Sequence, residues 1–242
     1  MEKSKTTLAE KYLSLDFSEK DSIGLTEQKT LRILIGVLGV LLPLLLYLSL
    51  YVDSGHTVPL ESISHYYYTR ANSFFTITVS LLAVFLLIYK GKAAVDFYLS
   101  ALAGIFALFL VLFPTDNLSL VCCDQEKPYA VTLLPGNPLR EGFHYLSAAI
   151  FLTSLAVLSY FIFTKSNKPP GERSPGKIYR NLVYRTCGLL MALALLVVLA
   201  GTLNLIHEPY YTGHHLTFWM ETLAVECFGI SWLTKAEVFF KD

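Results

Sequence analysis

The sequence predicts an all-α, polytopic membrane protein whose six transmembrane helices form one bundle. Of its 242 residues 54% are hydrophobic and only 16% are charged, whereas a soluble domain has about 25% charged residues. The apolar residues occur in long blocks, each near the ~20 residues that a helix needs to cross ~30 Å of hydrocarbon. None of the blocks has the period-two alternation of a barrel strand, so the spans are predicted to be helices.

Six apolar blocks qualify as spans, and Lys90 and Lys92 separate the second from the third. We predict a cytoplasmic N-terminal segment over residues 1–30, a membrane domain over residues 31–235 and a tail over residues 236–242. The predicted spans are residues 33–52, 73–89, 97–113, 143–163, 187–206 and 216–233.

The basic residues predict the orientation in the cell membrane. Only Arg70, Lys127 and Arg140, of the 19 Lys and Arg residues, fall in the loops after the first, third and fifth spans. Because basic loops stay in the cytoplasm during insertion, both termini are predicted to be cytoplasmic. The loops that contain these three residues are then periplasmic or extracellular.

Composition and motifs also exclude some partners. The net charge of zero gives no electrostatic reason to expect a nucleic acid. The chain contains no P-loop and no dinucleotide-binding fingerprint, so a nucleotide is not expected either. Membrane lipid is the partner that the apolar blocks predict.

The histidines concentrate at the predicted outer ends of the spans, so a site is expected to face outward. At the start of the fourth span, Glu141, His144 and Ser147 are spaced three apart and share a helix face. A carboxylate beside an imidazole fixes its tautomer for metal binding or base catalysis, which makes His144 a candidate ligand-binding, catalytic or metal-ligating residue. The alternative is a histidine that is merely hydrogen-bonded at the interface.

Two carboxyl groups lie in the sixth span, where a charge costs ~2.5 kcal/mol or more. Glu221 is about two helical turns below the predicted outer surface, which makes it a candidate ligand-binding residue or general base. Glu226 is deeper and on a different face. We interpret it as a helix-packing hydrogen bond or, in a transporter, as a proton-coupled site.

A zinc site is a further hypothesis, because zinc binds imidazole and carboxylate ligands. His207 and His214 lie in one outer loop and, with His144 and Asp116, form a candidate ligand set. The spacing matches no zinc signature, and the alternative is that the loop histidines are solvated.

The first outer loop combines hydroxyl groups with a base. Ser64 and Arg70 would suit a phosphate or carboxylate headgroup, since Arg binds such anions in a bidentate manner. Its three consecutive tyrosines are equally typical of an interfacial aromatic belt. Cys122 and Cys123, in the second outer loop, could form a vicinal bridge, an intermolecular bond or two free thiols.

Several short motifs, spread over most of the chain, resemble those of a family of uncharacterised bacterial six-helix integral membrane proteins. This resemblance implies the architecture rather than an activity. The motifs are Ser62 to Ser64 with Tyr66 to Tyr68, Phe113-Pro114, His144 to Phe151, Tyr184-Arg185 with Gly188, Trp219 with Glu221, and Ser231 to Lys235.

Two more distant resemblances concern lipids. Ser62, His144, Trp219 and Glu221 occupy places similar to those of a loop serine, a histidine and an acidic-aromatic pair in the DRAM/Sfk-like six-helix group, which implies lipid handling. The chain is also similar to seven-helix zinc hydrolases of the ceramidase type, which combine a serine, an aspartate and three histidines. Ser64, Asp116, His144, His207 and His214 would take those parts, but one helix and the paired-histidine spacing are lacking.

Three functions therefore compete. The first is an outward-facing polar pocket that handles a lipid or another amphiphile, through Arg70, His144 and Glu221. The second is a membrane-embedded zinc hydrolase of a lipid amide or ester, with Glu221 as the general base. The third is a small-solute transporter that works through Glu226.

Overall fold

Every regular element in the residues that the computed structural model describes is a helix, which confirms the predicted all-α class. The structure describes residues 22–91, 93–118, 129–166 and 169–240. The predicted cytoplasmic segment before residue 22 and the adjacent pair Cys122 and Cys123 lie outside these ranges. The helices are α1 (Ser22–Ser54), α2 (Asn72–Ile88), α3 (Ala94–Leu112), α4 (Pro138–Val157), α5 (Pro175–Thr202), α6 (Glu208–Gly213) and α7 (Leu216–Lys235).

Local sequence explains where α4 and α5 begin. Asn137 precedes α4 and its side chain accepts hydrogen bonds from the backbone N–H groups of Leu139 and Arg140. Ser174 caps α5 in the same way, and each helix has a proline in its first turn, where a missing N–H costs nothing. The cap at Ser174 starts α5 well before the predicted span at residue 187. The predicted span began later because it was based on apolar composition, which identifies only the part of this helix that contains no charged residue.

The six longer helices form a closed ring in which each one packs against the next along the chain, and the short helix α6 contacts α7. The last long helix, α7, packs between α5 and α1 and also contacts α4. It therefore closes the ring between the first and the fifth helix. The segments at residues 55–71, 113–118, 129–137 and 203–215 lie at the same end of the bundle, which we call the loop end. A short 3₁₀ helix, Ser64–Tyr68, folds back over this end.

Glycines permit the closest helix contacts. A Cβ atom on Gly229 of α7 would lie 2.6 Å from the carbonyl oxygen of Gly36 in α1. A Cβ atom on Gly188 of α5 would lie 2.7 Å from Cβ of Tyr160, in the π-helical turn Leu158–Ile162 that continues α4. Small residues at such contacts are typical of helices that associate within a membrane.

Four helical segments are long and apolar enough to cross a membrane, judged by length and composition. Their outer faces expose leucines such as Leu44 and Leu48 on α1 and Leu193 and Leu196 on α5, which a water-soluble surface would rarely present. This is compatible with a membrane protein. The four segments are Lys29–Ser54, Ala94–Leu112, Pro138–Ile162 and Pro175–Thr202.

The second and sixth predicted spans also form helices, but neither belongs to this group of four. The helix α2 is apolar but has only 17 residues. It is therefore slightly shorter than the ~20 residues that a membrane-spanning helix needs. The helix α7 is long enough but carries Glu221 and Glu226 and several hydroxyl groups. It packs between two neighbours, so less of its surface has to be apolar than on a helix that faces outward.

Candidate functional site

A cavity of about 910 Å³ lies between α4, α5 and α7. Its walls are mainly apolar and include Leu152 from α4, Leu195 from α5 and Ala224 from α7. Its polar groups concentrate at the loop end. The residues that contribute them there are Glu61, Ser62, His65, Thr115, Asp116, His144, Tyr145, Thr202, Tyr211, Thr217 and Glu221.

The cavity opens sideways, through the outer surface of the helix bundle. Leu189, Leu196 and Leu199 line the cavity, and each is more than half exposed. Residues that both line the cavity and are exposed indicate where the cavity comes to the surface. The opening therefore lies along α5, on the face where the exposed leucines lie.

His144 lies at the boundary between the cavity and the loop end, and it is buried. Its Nδ1 is 2.8 Å from the carbonyl oxygen of Phe113, and its Nε2 is 3.0 Å from Oγ of Ser64. Because a carbonyl oxygen only accepts, Nδ1 carries the proton and Nε2 accepts from the Ser64 hydroxyl. The imidazole is thus held as one neutral tautomer.

The predicted pairing of His144 with Glu141 is wrong. The Glu141 carboxylate accepts a hydrogen bond from the backbone N–H of Asn137 and pairs with Arg140 at 3.2 Å. Glu141 faces these groups and is not among the residues that line the cavity. The partner that fixes the tautomer is a backbone carbonyl of the segment after α3.

His65 was not singled out by its spacing, yet it has a central position in the site. Its Nδ1 is 2.7 Å from Oγ of Ser62, and its Nε2 is 3.2 Å from Oε2 of Glu61 and 3.8 Å from Oδ1 of Asp116. The only local signal was a histidine next to Ser64 in a loop that also contains Glu61. Asp116 is 51 positions away, so sequence spacing could not pair them.

Asp116 lies at the cavity as a candidate ligand-binding residue should. Its carboxylate accepts hydrogen bonds from the hydroxyl groups of Tyr145 at 2.5 Å and Thr115 at 2.7 Å. Partial burial acts to raise the pKa of Asp116, but the bonds from His65, Tyr145 and Thr115 outweigh it and lower the pKa below its ordinary value of 3.8. Asp116 is therefore ionised at neutral pH.

Glu221 connects α7 to the loop end. Its Oε2 accepts a hydrogen bond of 2.7 Å from the backbone N–H of Ile63, and its side chain lines the cavity. This contact holds the Ser64–Tyr68 turn against α7. Glu226 is not among the residues that line the cavity.

Three candidate residues lie away from the cavity. Arg70 is 71% exposed in its side chain and pairs with Asp53 at 3.4 Å, so it does not provide the predicted anion contact inside the pocket. His207 and His214 flank α6 and are exposed, and Nδ1 of His214 is bonded to the carbonyl oxygen of Tyr210. Neither histidine is among the residues that line the cavity.

The predicted zinc ligands therefore do not assemble. In the part of the chain that the structure describes, no group of three or more His, Cys, Asp or Glu residues is placed to hold a metal ion. His144 also has both ring nitrogens bonded, which leaves no lone pair for a metal. The predicted ligand set of His144, His207, His214 and Asp116 is not brought together. His207 and His214 are exposed on the loop around α6, whereas Asp116 and His144 line the cavity.

Searches of protein-family models, curated proteins and solved structures find no match to this chain. What the cavity can do follows from its own groups. It offers an apolar volume with a lateral opening and polar groups at one end. One of these groups is His144, whose Nε2 is bonded to Ser64, a residue that does not itself line the cavity. Such a space suits a molecule with an apolar chain and a polar head.

Proposed function

We propose that this chain is a six-span cell-membrane protein that binds one amphiphile in the cavity, with the headgroup at the loop end. Both termini are cytoplasmic, and the loop end faces the outside. The observation that carries the proposal is the apolar cavity that opens sideways along α5 and ends at His65, Asp116 and His144.

The asymmetry of basic residues supports this topology. The helices α2 and α7 belong to the same ring as the four long apolar helices and run antiparallel to their chain neighbours, as alternating spans would. The described loop end contains only two of the basic residues, Arg70 and Arg140. The resemblance to six-helix bacterial membrane proteins implies the same arrangement.

The amphiphile follows from the shape and polarity of the cavity. Its lateral opening lies among exposed leucines, so a lipid chain could enter from the bilayer without crossing water. Moving a chain from lipid into an apolar protein cavity yields little hydrophobic free energy, because lipid tails are as apolar as the leucines. Affinity must then depend on the polar groups at the loop end, and this is where the polar residues concentrate.

Blocking the cavity tests this proposal. Ala192 lines the cavity on α5, whereas its neighbour Leu193 is 48% exposed and does not line it. We expect Ala192→Trp to reduce binding of a fluorescent twelve-carbon alkanol to the protein in maltoside micelles, measured by anisotropy. Leu193→Trp should bind like the wild type. Equal binding by all three proteins would refute the cavity as the site.

A second candidate function is hydrolysis of a lipid ester without a metal. The observation that favours it is the pair of Ser64 Oγ and His144 Nε2 at 3.0 Å, with the base oriented through Nδ1 by Phe113. Ser64 lines a smaller cavity of about 40 Å³ that shares Leu152 and Glu221 with the main one. It would attack an ester carbonyl carbon that reaches this smaller cavity, while its proton moves to Nε2. His144 would pass that proton to the departing alcohol, and water would then release the acid from Ser64.

The chain contains a matched control for this candidate. Ser62 forms the corresponding pair with His65 at 2.7 Å, on the same turn. If the protein is a serine hydrolase, a fluorophosphonate probe should label the wild type and Ser62→Ala but not Ser64→Ala. An unlabelled wild type would leave amphiphile binding as the function.

The transporter hypothesis has less support than either candidate. Its proposed proton-coupled residue, Glu226, does not line the cavity. A solute path through this site would have to use Glu221 instead, whose carboxylate is bonded to the backbone of Ile63.

A further inference from the structure

We propose that the cavity holds one alkyl chain of about 14 to 16 carbons, extended along α4 and α5. The methyl end of this chain lies at the contact between Gly188 and Tyr160. This inference rests on the proposed function and specifies the chain of the amphiphile. It adds a determinant of specificity, which is the depth at which the two helices meet.

The cavity extends along the helix axes for most of the length of a span. Its lining residues recur on every turn of α4 from His144 to Phe161, and on every turn of α5 from Gly188 to Thr202. The distance from Thr202 to Gly188 along α5 is about 21 Å, at a rise of ~1.5 Å per residue. The cavity is therefore continuous from the loop end to Gly188, and we call this second limit the deep end.

The cavity is wide at the loop end and narrow at the deep end. Among the described residues of α7, those that line the cavity lie between Thr217 and Ala224, in the first turns of that helix. Towards the deep end the walls come from α4 and α5, and the described lining residues there are apolar except for Thr153 and Tyr160. A polar head fits the wide part, and the narrow part between two helices suits one chain.

A close helix contact ends the narrow part. A Cβ atom on Gly188 would lie 2.7 Å from Cβ of Tyr160 and 3.1 Å from the carbonyl oxygen of Ala156. Only a residue without a side chain allows α4 and α5 to approach this closely. An alkyl chain cannot pass between helices in such contact, so the contact limits how far a chain extends inside the protein.

The length of the chain follows from this depth. The head occupies the level of His144, where the polar groups are. From Ala148, one turn deeper, to Tyr160 the distance along α4 is about 18 Å. An extended alkyl chain advances about 1.3 Å per bond, given bonds of about 1.5 Å. A depth of about 18–21 Å therefore corresponds to about 14 to 16 carbons.

The volume of the cavity agrees with one ligand molecule. It is about 910 Å³, and pockets of about 300–1,000 Å³ each bury one small ligand. A chain that is too short leaves part of the wall without contacts, which costs free energy in proportion to the empty volume. A chain that is too long gains no further wall contact, because its extra carbons leave through the lateral opening.

Unlabelled alkanols of eight, twelve, sixteen and twenty carbons test this inference by displacing the fluorescent twelve-carbon alkanol in maltoside micelles. Their concentrations are expressed as mole fractions in the micelle, so that partitioning does not enter the comparison. We expect the sixteen-carbon alkanol to displace the probe at an about tenfold or more lower mole fraction than the eight-carbon alkanol. The twenty-carbon alkanol should displace it no better than the sixteen-carbon one.

Two alanines that line the cavity on α4 at different depths provide matched variants. Ala156→Leu fills the deep end and should remove the advantage of sixteen carbons over twelve, while displacement by the eight-carbon alkanol stays unchanged. Ala148→Leu, about two turns nearer the loop end, should weaken all four alkanols alike. Val157→Phe provides a second variant at the deep end, should Ala156→Leu fail to fold.

Two kinds of failure are distinguishable. Affinity that does not depend on chain length, that still rises from sixteen to twenty carbons, or that keeps its wild-type profile in Ala156→Leu would overturn the depth limit. Each of these results would leave the proposed function standing. Binding that Ala192→Trp leaves unchanged for every alkanol would instead refute the proposed function.

Discussion

Replacing Gly229 by alanine should weaken both the fold and the site. The new Cβ atom would lie 2.6 Å from the Gly36 carbonyl oxygen and 2.7 Å from the Val40 backbone nitrogen, whereas ordinary contact begins at 3.4 Å. Because these are backbone atoms, no side chain can turn away, and α1 and α7 must separate by about 0.8 Å. Overpacking of this kind costs about 1–3 kcal/mol.

The same displacement should reach the cavity. The helix α7 carries Glu221, whose Oε2 is 2.7 Å from the Ile63 nitrogen. If the whole shift is transmitted, this distance becomes about 3.5 Å, beyond a normal hydrogen bond. We therefore expect Gly229→Ala to lower the melting temperature and to weaken binding of the fluorescent twelve-carbon alkanol.

Thermal unfolding in detergent, followed by circular dichroism, measures the first effect, and probe anisotropy measures the second. Gly142→Ala is the matched control, because nothing lies within 4 Å of a Cβ atom at Gly142 in α4. Alanine should stabilise that helix by about 0.5–1 kcal/mol. A Gly229→Ala protein that melts at or above the wild-type temperature would refute the argument that the close glycine contact holds α1 against α7.

Three further predictions concern the site and the topology. Glu221→Ala should cost about 1–3 kcal/mol of stability in thermal unfolding, because the Ile63 N–H loses its acceptor, and Glu221→Gln should cost less because its amide oxygen can accept. The lowered pKa of Asp116 means that its carboxylate stabilises the fold fully above its ordinary pKa of 3.8. That contribution declines as the pH falls further, so the difference in melting temperature between Asp116→Asn and the wild type should stay constant from pH 8 to pH 5 and diminish below about pH 4. In a background without native cysteines, Gly136→Cys should react with a membrane-impermeant maleimide in intact cells, whereas Gly171→Cys should react only after permeabilisation.

Each of these experiments has a result that contradicts the reasoning behind it. If Glu221→Ala and Glu221→Gln unfold alike, the bond to the turn contributes no stability of its own. A melting difference for Asp116→Asn that already diminishes between pH 7 and pH 5 would mean that its carboxylate is not held in the ionised form. Equal labelling at Gly136 and Gly171 in intact cells would contradict the orientation. A Cβ atom at either glycine meets nothing within 4 Å, so each cysteine should be tolerated.

The pairings within the site show where sequence spacing stops being informative. Residues three apart predicted that Glu141 would hold His144, but Arg140 and the Asn137 N–H donate to that carboxylate instead. The group that fixes the His144 tautomer is the Phe113 carbonyl, 31 positions away. A backbone carbonyl has no residue type to reveal it in a sequence.

His144, Asp116 and Glu221 could be selected from the sequence because polar residues at the ends of apolar blocks are costly and few. Arg70, His207 and His214 met the same criterion and lie outside the cavity. The difference is how the loops fold, since Arg70 has Asp53 as a closer partner and α6 holds the two histidines at the surface.

The sequence by itself determined that this chain is helical and contains long apolar segments, because hydropathy and helix signals are local properties of about twenty residues. Only the tertiary structure decided which polar groups meet. The turn at Ser64–Tyr68 folds back over the loop end, so that His65 comes to Asp116, Ser64 to His144, and Ile63 to Glu221, 158 positions away. The contact between Ile63 and Glu221 depends on α7, which closes the helix ring against α1, and such long-range closure depends on packing that no local spacing encodes.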